Sequence, residues 1–409
     1  MVIAGEASGD VLAAELVQAL KKRFSDKPTM ASSDSQPLHA SLAPRFFGAG
    51  GPKMAEAGVE LAFDLTQHSV VGFSAVLRNY FEFRRLFGRL LRMAFERKPD
   101  VIICVDFSGF NRRFAHAIRR GTRGKRDWFH DWEPRIVQYV SPQVWASREG
   151  RVHQIAEDYD LVLSIFPFEK EWYARRAPRL RVEFVSHPIL DRYGASPSPT
   201  VPEKSAAEPR ANLIEKPLNV LLLPGSRRSE LDRHLPVMNG ALVMMRTVFP
   251  NLRARMVLPN EKLLEQAKAH RHASDLEIQV GGLAEALREA TIAIASTGTV
   301  TVECAYFGVP TVAIYKTSWL EYLIGKRLVS VRYLAMPNIL AGAEVYPEFV
   351  AHMATAGNIA RAALELLRNE ERRNTIKARL REIVGTLGMP GASGRAADAI
   401  LSLDPSLLS

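Results

Sequence analysis

The chain has 409 residues, of which 47% are hydrophobic and 24% are charged, and its formal net charge is +10. This is the balance of a globular protein with two or three domains, and it excludes collagen-like, disulfide-rich and wholly disordered chains. No apolar run reaches the roughly 18–20 residues that a membrane-spanning helix needs. The positive charge favours anionic partners, namely nucleic acid, an anionic membrane surface or phosphorylated small molecules.

Short apolar runs alternate with amphipathic stretches, which include helix candidates at 11–23 and 358–368. Several runs are unbroken rather than alternating, as is typical of parallel strands covered by helices on both faces. The sequence therefore predicts an α/β fold. Strands are predicted at 1–4, 101–107, 135–140, 161–165, 182–185, 218–223, 254–258, 292–295 and 311–315.

A proline-rich stretch divides the chain. Residues 193–217 carry five prolines and few large apolar side chains, which predicts a linker. We therefore expect two similar α/β domains, at residues 1–192 and 218–388, with a cleft between them. A second polar stretch, at 27–44, predicts a surface loop.

Two cysteines, Cys104 and Cys304, each lie inside an apolar run and are expected to be buried, inert thiols. Two isolated cysteines form neither a zinc site nor a disulfide framework, so a reducing compartment fits best. The first residues, MVIAGEASGD, lack the basic segment and long apolar stretch of a signal peptide.

The first candidate site follows the first strand. Gly5 and Gly9 let the backbone approach a ligand closely, and the helix after them offers free N–H groups. Glu6 and Ser8 would then lie at the carboxyl edge of the sheet, where open α/β sheets bind ligands. The alternative is a plain strand–helix turn with Ser8 or Asp10 as the N-cap.

A carboxylate, Asp106, lies near the end of the run VIICVDF, just before Phe107. At the end of a buried strand, partial burial would raise its pKa and suit it to act as a general base. The alternative is an aspartate that caps the next helix.

The segment LLLPGSRRSE opens the second domain. A strand ends in a turn at Gly225, and Ser226 and Arg227 precede a helix, so hydroxyl, guanidinium and backbone N–H groups form a candidate diphosphate site. Arginine keeps its charge and binds phosphate with a planar fork. The alternative is a basic turn on the surface.

A fourth segment, STGTVTVE, runs from a strand into a helix. Thr297 and Thr299, on either side of Gly298, can bind phosphate together with free N–H groups of the helix. Glu303 would accept hydrogen bonds from ribose hydroxyls. The alternative is that Glu303 only complements the helix dipole.

The stretch 76–98 predicts an amphipathic helix with seven basic and two acidic residues and an apolar arc wider than a soluble helix needs. Part of the arc can pack on the domain, and the rest, rimmed by arginine, suits an acyl chain or an anionic membrane surface. The alternative is a helix buried on two sides. The predicted contacts are Phe83, Arg85, Phe87, Arg89, Leu90, Leu91 and Arg92.

Six motifs, in order GEASGD, YVSPQVWA, FPFEK, LLLPGSRRSE, STGTVTVE and MPNILAG, resemble lipid-A-disaccharide synthase in sequence and spacing. The resemblance extends from about Gly5 to Phe349. It implies a GT-B glycosyltransferase, with two Rossmann-like domains facing an interdomain cleft. The acceptor would bind chiefly to the first domain and the nucleotide to the second, and residues 389–409 would form a helix that crosses back to the first.

The resemblance also implies the reaction. UDP-2,3-diacylglucosamine and 2,3-diacylglucosamine 1-phosphate would give a β(1→6) disaccharide 1-phosphate and UDP by inverting transfer, with no cofactor and no metal. The enzyme would act in the cytoplasm, on the inner face of the inner membrane of a Gram-negative bacterium. Asp106 would be the base, with Glu6 as its rival. Arg227 and the Thr297–Thr301 helix start would stabilise departing UDP, Glu303 would hold ribose, and Asn338 would line the donor pocket.

Four positions depart from the family pattern: Gly109, Ser147, Ser186 and Ala351 stand where Asp, Trp, Gly and Gln are common. Rival interpretations are another GT-B enzyme, such as a peptidoglycan glucosaminyltransferase or a UDP-sugar epimerase, and a non-catalytic nucleotide sensor at the membrane surface. Nucleic-acid binding is disfavoured, because the basic residues do not form a recognised module. The sequence leaves the oligomeric state open.

Overall fold

The computed structural model describes residues 1–26, 44–66, 80–123, 131–194, 218–270, 276–317, 325, 327 and 329–404. The chain divides into two compact units, one of residues 1–195 with 387–409 and one of residues 196–386. The predicted linker from residue 195 onward and the predicted loop 27–44 up to residue 43 lie outside the described residues.

Each unit contains one parallel sheet, which confirms the predicted pair of Rossmann-like α/β domains. The first sheet has the order β3-β2-β1-β4-β5-β6-β7 and the second β10-β9-β8-β11-β12-β13. The strands are β1 Val2–Ala4, β2 Phe47–Gly50, β3 Glu60–Asp64, β4 Val101–Val105, β5 Arg135–Tyr139, β6 Leu161–Ser164, β7 Arg181–Phe184, β8 Asn219–Leu223, β9 Arg253–Leu258, β10 Leu276–Val280, β11 Ile292–Ser296, β12 Thr311–Tyr315 and β13 Glu348–Val350.

Helices follow most strands, as crossover connections between parallel strands require. Short 3₁₀ turns occupy Glu149–Arg151 and Ala351–Met353. The helices are α1 Ala7–Ser25, α2 Pro52–Glu56, α3 Tyr80–Arg97, α4 Ser108–Thr122, α5 Val152–Asp158, α6 Pro167–Arg176, α7 Ile189–Tyr193, α8 Arg228–Val248, α9 Glu261–Lys268, α10 Leu283–Glu289, α11 Thr299–Tyr306, α12 Met336–Ala341, α13 Ala356–Arg368, α14 Glu370–Thr386 and α15 Ala392–Leu401.

Four strands are not predicted from the sequence. Three of them, β3, β10 and β13, lie at sheet edges and are half-exposed, so they lack the unbroken apolar run of a strand covered on both faces. The fourth, β2, is central but short, and two of its four residues are glycine. The nine predicted strands correspond to the other nine, with ends that differ by at most two residues.

The C-terminal helix α15 belongs to the first unit, where it packs along α1. Arg23 Nε on α1 lies 2.6 Å from Asp398 Oδ1 on α15. The segment before the helix is held as well, because the backbone N–H of His187 donates to the carbonyl of Leu387 at 2.9 Å.

Both cysteines are fully buried, as predicted, in β4 and in α11. Burial raises the pKa of each thiol to about 12. Neither thiol is therefore reactive at neutral pH. Within the described ranges, no helix combines the length and apolar character needed to cross a membrane.

Candidate active site

Each sheet reverses its strand order at one point, between β1 and β4 in the first and between β8 and β11 in the second. Open parallel sheets bind ligands outside the carboxyl ends of their strands at such points. The loops that leave these four strands carry the predicted site segments around Glu6, Asp106, Arg227 and Thr297. Local prediction and topology therefore agree on one candidate site in each unit.

In the first unit, the turn after β1 lies directly against the turn after β4. A Cβ on Gly5 would overlap the ring of Phe107, and a Cβ on Gly9 would lie 3.5 Å from Asp106 Cβ. Gly5 thus makes room for the β4 turn, whereas a Cβ on Gly9 would be in ordinary van der Waals contact with it. Glu6 occupies the N-cap position of α1 without a side-chain cap, and Ser8 is exposed in the first helical turn.

Asp10 is a structural residue, and the interpretation that it caps α1 is wrong. Its buried carboxylate accepts hydrogen bonds from the backbone N–H groups of Gly51, Lys53 and Met54 at 2.7–3.1 Å. These groups begin α2, so Asp10 satisfies the N-terminus of that helix and fixes it against α1.

The backbone of Asp106 is held by two amide side chains. Asp106 and Phe107 have φ of 48° and 43°, in the left-handed region that costs a non-glycine residue energy. Asn111 Nδ2 and Gln138 Nε2 donate to the carbonyl of Asp106 at 2.9 and 3.1 Å, and both side chains are fully buried. A strained turn fixed in this way positions a carboxylate accurately.

The sequence analysis does not identify Asn111 or Gln138 as residues that position Asp106. Each nevertheless gives a signal, because Asn111 closes the segment DFSGFN and Gln138 is a polar residue inside an apolar strand. The N-cap position of α4 is Phe107, so Asp106 lies one residue before it.

In the second unit, an internal carboxylate already contacts the turn after β8. Glu230 accepts hydrogen bonds from the backbone N–H groups of Ser226 and Arg227 at 3.0 and 3.3 Å, and Arg227 Nη1 lies 3.2 Å from its other oxygen. A Cβ on Gly225, whose φ is 122°, would overlap this carboxylate. These two N–H groups are therefore engaged within the turn, and the Arg227 guanidinium and the Ser226 hydroxyl are the remaining candidate groups for an anion, the guanidinium being oriented by Glu230.

A buried histidine connects this turn to the end of β12. His234 Nδ1 donates to the carbonyl of Pro224 at 2.6 Å, and the N–H of Lys316 donates to Nε2 at 3.0 Å. Burial lowers the pKa of His234, so the ring stays neutral and can donate and accept at once. His234 thereby sets the distance between two loops at the carboxyl edge.

The fourth segment forms the start of α11. Gly298, with a φ of 125°, is its N-cap residue, and no atom within 4 Å would meet a Cβ there. Gly298 and Thr299 are exposed, whereas the N–H of Thr297 is used in the sheet, at 3.0 Å from Ile314 O. An anion would therefore meet the N–H groups that follow Gly298. Glu303 lies half-buried on the second turn.

Asn338 lies in the interior. Its Oδ1 accepts from the N–H groups of Val345 and Tyr346 at 2.9 and 2.8 Å, and its Nδ2 donates to Tyr346 O and Glu348 Oε2 at 2.9 and 3.2 Å. With no exposed surface and all four hydrogen-bonding positions used, the side chain holds the loop before β13 and does not line a pocket in this structure.

Helix α3 packs its apolar face on the first unit. The prediction that Leu90 contacts acyl chains is wrong, because the side chain is fully buried in the core together with Ala94. The Phe87 ring packs edge-on against Phe110 and Phe114, at centroid distances of 5.4 and 5.9 Å. Phe83 and Leu91 are partly buried against the same core, whereas Arg85, Arg89 and Arg92 are exposed.

Two departures from the family pattern lie in strained backbone. Ser186 and Ala351 have φ of 72° and 53°, where glycine is favoured. The Ser186 hydroxyl accepts from the N–H of Met389 at 3.2 Å, so the serine gains a contact with the C-terminal segment that glycine would lack.

The motifs YVSPQVWA and FPFEK meet at a buried acid. Glu169 is 1% exposed, accepts from Trp145 Nε1 at 2.9 Å and from the N–H of Phe166 at 3.4 Å, and caps α6. Burial raises the pKa of its carboxyl from 4.5 to about 8. The ring of His187 lies 5.3 Å from that of Phe166, and burial lowers its pKa to about 3. Both groups are neutral in the folded state near pH 7.

The raised pKa of Glu169 and the lowered pKa of His187 predict how the stability of the fold changes with pH. The stability due to protonated Glu169 is complete below about pH 4.5 and is lost as the pH rises through 8, because the unfolded chain ionises first. The shift from 4.5 to about 8 corresponds, at about 1.4 kcal/mol per pKa unit, to a loss on the order of 5 kcal/mol. Glu169→Gln should remove most of this alkaline loss in urea unfolding between pH 5 and 9. In the wild type and in Glu169→Gln alike, His187 lowers the stability as the pH falls below about 6.5, because its imidazole is protonated in the unfolded chain before it is protonated in the buried site.

Glu171→Gln is the matched control, since Glu171 is an exposed residue of the same helix, paired with Arg175. Its stability curve should run parallel to that of the wild type. Parallel wild-type and Glu169→Gln curves up to pH 9 would instead show that Glu169 ionises normally.

The described residues contain no group of three or more histidine, cysteine or acidic side chains able to hold a metal ion. The candidate site residues offer hydrogen-bonding groups and positive charge. Their chemistry suits an anionic ligand such as a diphosphate.

The family model for lipid-A-disaccharide synthetase matches residues 1–395. The lipid-A-disaccharide synthases of Syntrophus aciditrophicus and Geobacter metallireducens are each 33% identical to this chain, over 98% of its length and 97% and 96% of theirs.

Solved structures of low sequence identity share the fold. UDP-GlcNAc 2-epimerase from Neisseria meningitidis bound to UDP-GlcNAc has a TM-score of 0.53 at 11% identity, covering 86% of this chain and 88% of that one. The kitacinnamycin glycotransferase has a TM-score of 0.52 at 16% identity, covering 98% and 97%. The fold is thus that of GT-B glycosyltransferases and related epimerases. Because the family model and the relatives extend over nearly the whole sequence, the chain belongs to the lipid-A-disaccharide synthase family.

Proposed function

We propose that this protein transfers 2,3-diacylglucosamine from UDP to the 6-hydroxyl of 2,3-diacylglucosamine 1-phosphate, with inversion at the anomeric carbon. Family membership makes it a hexosyltransferase of lipid A biosynthesis. The observation that carries the finer proposal is the placement of Asp106 and of the Arg227 turn at the strand-order reversals of the two sheets.

The second unit would bind the donor. Arg227, Ser226 and the N-terminus of α11 would stabilise the negative charge that develops on UDP as the glycosidic bond breaks. Fixed cationic and N–H donors need no reorganisation during this step, which is why such groups accelerate it. Glu303, on the second turn of α11, would accept hydrogen bonds from the ribose.

The first unit would activate the acceptor. Asp106 would take the proton of the 6-hydroxyl as that oxygen forms its bond to the donor anomeric carbon and the bond to the UDP oxygen breaks. The fixed turn held by Asn111 and Gln138 supports this role, because a base must lie within hydrogen-bond reach of its proton. Glu6, at the neighbouring turn, is the alternative base.

Three other functions predict different outcomes. A UDP-sugar epimerase would convert a single free nucleotide sugar and need no acceptor, and a peptidoglycan glucosaminyltransferase would use a different one. A membrane-surface nucleotide sensor would bind UDP but need no base, so it would tolerate loss of Asp106.

Product analysis by mass spectrometry tests the proposal most directly. Both diacylglucosamine substrates are supplied together to the full chain without added metal, and the expected products are the disaccharide 1-phosphate and UDP. Each substrate alone is the control. Conversion of the UDP-sugar alone to an isomer would favour the epimerase, and absence of any product would contradict the transferase.

We further propose that α3 contacts the inner face of an anionic membrane. Phe81 at its first turn is 80% exposed, and Arg85, Arg89 and Arg92 form an exposed basic face. An exposed aromatic ring beside arginines suits the boundary between headgroups and acyl chains.

Vesicle co-sedimentation tests this contact. Each arginine near an anionic surface contributes about 1 kcal/mol. Changing Arg85, Arg89 and Arg92 together to serine should therefore weaken partition onto phosphatidylglycerol vesicles about a hundredfold. The control is a triple change of equal charge on α13 and α14, at Arg361, Arg368 and Arg381. Equal losses in both variants, or binding that is insensitive to salt, would reject the proposed surface.

A further inference from the structure

Four arginines lie together beside the candidate base of the first unit. Arg112 and Arg113 belong to the second turn of α4, which begins just after Asp106. Arg148 precedes the 3₁₀ turn that leads from the loop after β5 into α5, and Arg151 is the last residue of that turn. Since β4 and β5 are neighbours in a parallel sheet, both segments leave the same carboxyl edge.

Contacts between the two helices fix the cluster. Arg112 Nη1 donates to Gln154 Oε1 on α5 at 3.4 Å. One turn further along, His116 Nδ1 lies 3.1 Å from Asp158 Oδ1. The helices α4 and α5 therefore lie side by side, with Arg112 and Arg151 half-buried between them and Arg113 and Arg148 exposed at the rim.

Two nearby carboxylates pair elsewhere. Glu149 pairs with Arg176 on α6, and Asp158 with His116. Among the residues that the structure describes, no carboxylate lies within ion-pair distance of Arg112, Arg113, Arg148 or Arg151, and the one recorded partner of Arg112 is a neutral amide. Surface arginines elsewhere in the chain, such as Arg23, Arg97 and Arg176, have acidic partners.

The charges in the cluster repel one another. Burial lowers the pKa of both Arg112 and Arg151, and neighbouring arginines of the cluster lower both further, whereas Tyr159 and Asp158 raise that of Arg112. Arginine remains protonated in proteins, so the cluster holds four positive charges near one another, none of them in an ion pair with a described carboxylate. An anion with several oxygens, bound between the guanidinium forks, would relieve this repulsion.

The geometry points to a phosphate-monoester subsite between α4 and the 3₁₀ turn, which takes the 1-phosphate of the sugar acceptor. This assignment rests on the proposed function. Arg112 lies four residues into α4 from Ser108, about 6 Å along the helix axis at 1.5 Å per residue. The 1-phosphate and the 6-hydroxyl of the acceptor lie on opposite sides of one sugar ring oxygen. A sugar bound with its phosphate at Arg112 and Arg151 can therefore direct its 6-hydroxyl toward the turn that carries Asp106.

The test compares two acceptors that differ only at the anomeric position, one with the 1-phosphate and one with a 1-O-methyl group, both in neutral detergent micelles. A charge-assisted hydrogen bond lost from a phosphate site corresponds to about a tenfold change or more. We expect Arg112→Gln with Arg151→Gln to lower kcat/KM for the phosphorylated acceptor at least about tenfold, through KM, and to leave that for the methyl acceptor unchanged. Arg120→Gln, an exposed change on the same helix, should alter neither.

A binding measurement decides the assignment independently of turnover. Calorimetry with glucosamine 1-phosphate on the full chain should show at least about tenfold weaker binding in the double variant. Inorganic phosphate should bind more weakly than the sugar phosphate, since it lacks the ring. A variant that keeps wild-type affinity for glucosamine 1-phosphate overturns the subsite, even if the wild type forms no disaccharide and the proposed function fails separately.

Other outcomes also overturn it. Equal losses on both acceptors would mean that the arginines serve the structure of α4 and α5 and do not recognise phosphate. Inorganic phosphate bound as tightly as glucosamine 1-phosphate would identify a general anion site. Unchanged acceptor preference with weaker binding to phosphatidylglycerol vesicles would identify a membrane contact.

Discussion

Asp106→Asn should lower disaccharide formation by at least about a hundredfold while the affinity for UDP stays unchanged, because a general base contributes about 10²- to 10⁴-fold. Asparagine is the informative replacement. It tolerates the left-handed backbone at φ 48°, where alanine would be strained, and it keeps the shape of the side chain without its basicity. Product formation by mass spectrometry and UDP binding by calorimetry measure the two effects.

Asp100→Asn supplies the matched control, since Asp100 is an exposed carboxylate just before the same strand, at its opposite end. Its activity should equal that of the wild type. If Asp106→Asn retains activity within about tenfold, below the range expected for a lost base, Asp106 is not the base. A large loss in Glu6→Gln alone would then assign the role to Glu6.

Arg227→Gln should weaken UDP binding about tenfold to a hundredfold, the equivalent of the 1.5–3 kcal/mol of a charge-assisted hydrogen bond. The side chain is 40% exposed, and Glu230, 3.2 Å away, orients it at the start of α8. Glutamine keeps a donor but loses the charge and the planar fork that grips phosphate. Calorimetry with UDP gives the affinity directly.

Arg228→Gln removes the same charge one residue later and controls for the general field of the turn. Arg228 faces α9, where its Nε donates to Gln266 Oε1 at 3.1 Å. Its loss should hardly change the UDP affinity. Equal weakening in both variants would mean that net charge, rather than a contact from Arg227, attracts the nucleotide.

Helix α3 illustrates the limits of a periodic pattern. Its arginine face is exposed as predicted, but periodicity could not divide the wide apolar arc between core and ligand. The structure assigns Leu90 and Ala94 to the core and leaves Phe81 exposed. That division depends on which surface of α4 faces the helix, and Phe110 and Phe114 on that surface are distant in sequence.

The glycines of the first motif make the same point. The sequence predicts that Gly5 and Gly9 let a ligand approach the backbone, yet the space at Gly5 is taken by the ring of Phe107 from the turn after β4. Likewise, the sequence does not predict a cluster of arginines near Asp106, because Arg112 and Arg151 are 39 residues apart. Only the parallel pairing of β4 with β5 brings their helices together.

The sequence by itself determined the α/β fold, nine of the thirteen strands, the burial of both cysteines and the loops that carry Asp106, Arg227 and Gly298. These features follow from unbroken apolar runs and turn residues, which act over a few neighbouring positions. The tertiary structure decided that Asp10 caps α2 and that Asn338 uses all its hydrogen-bonding positions inside the second unit. It also decided that four arginines share one surface without ion-pair partners. Such outcomes depend on strand order and helix packing, because free energy is gained or lost where groups distant in the chain meet in space.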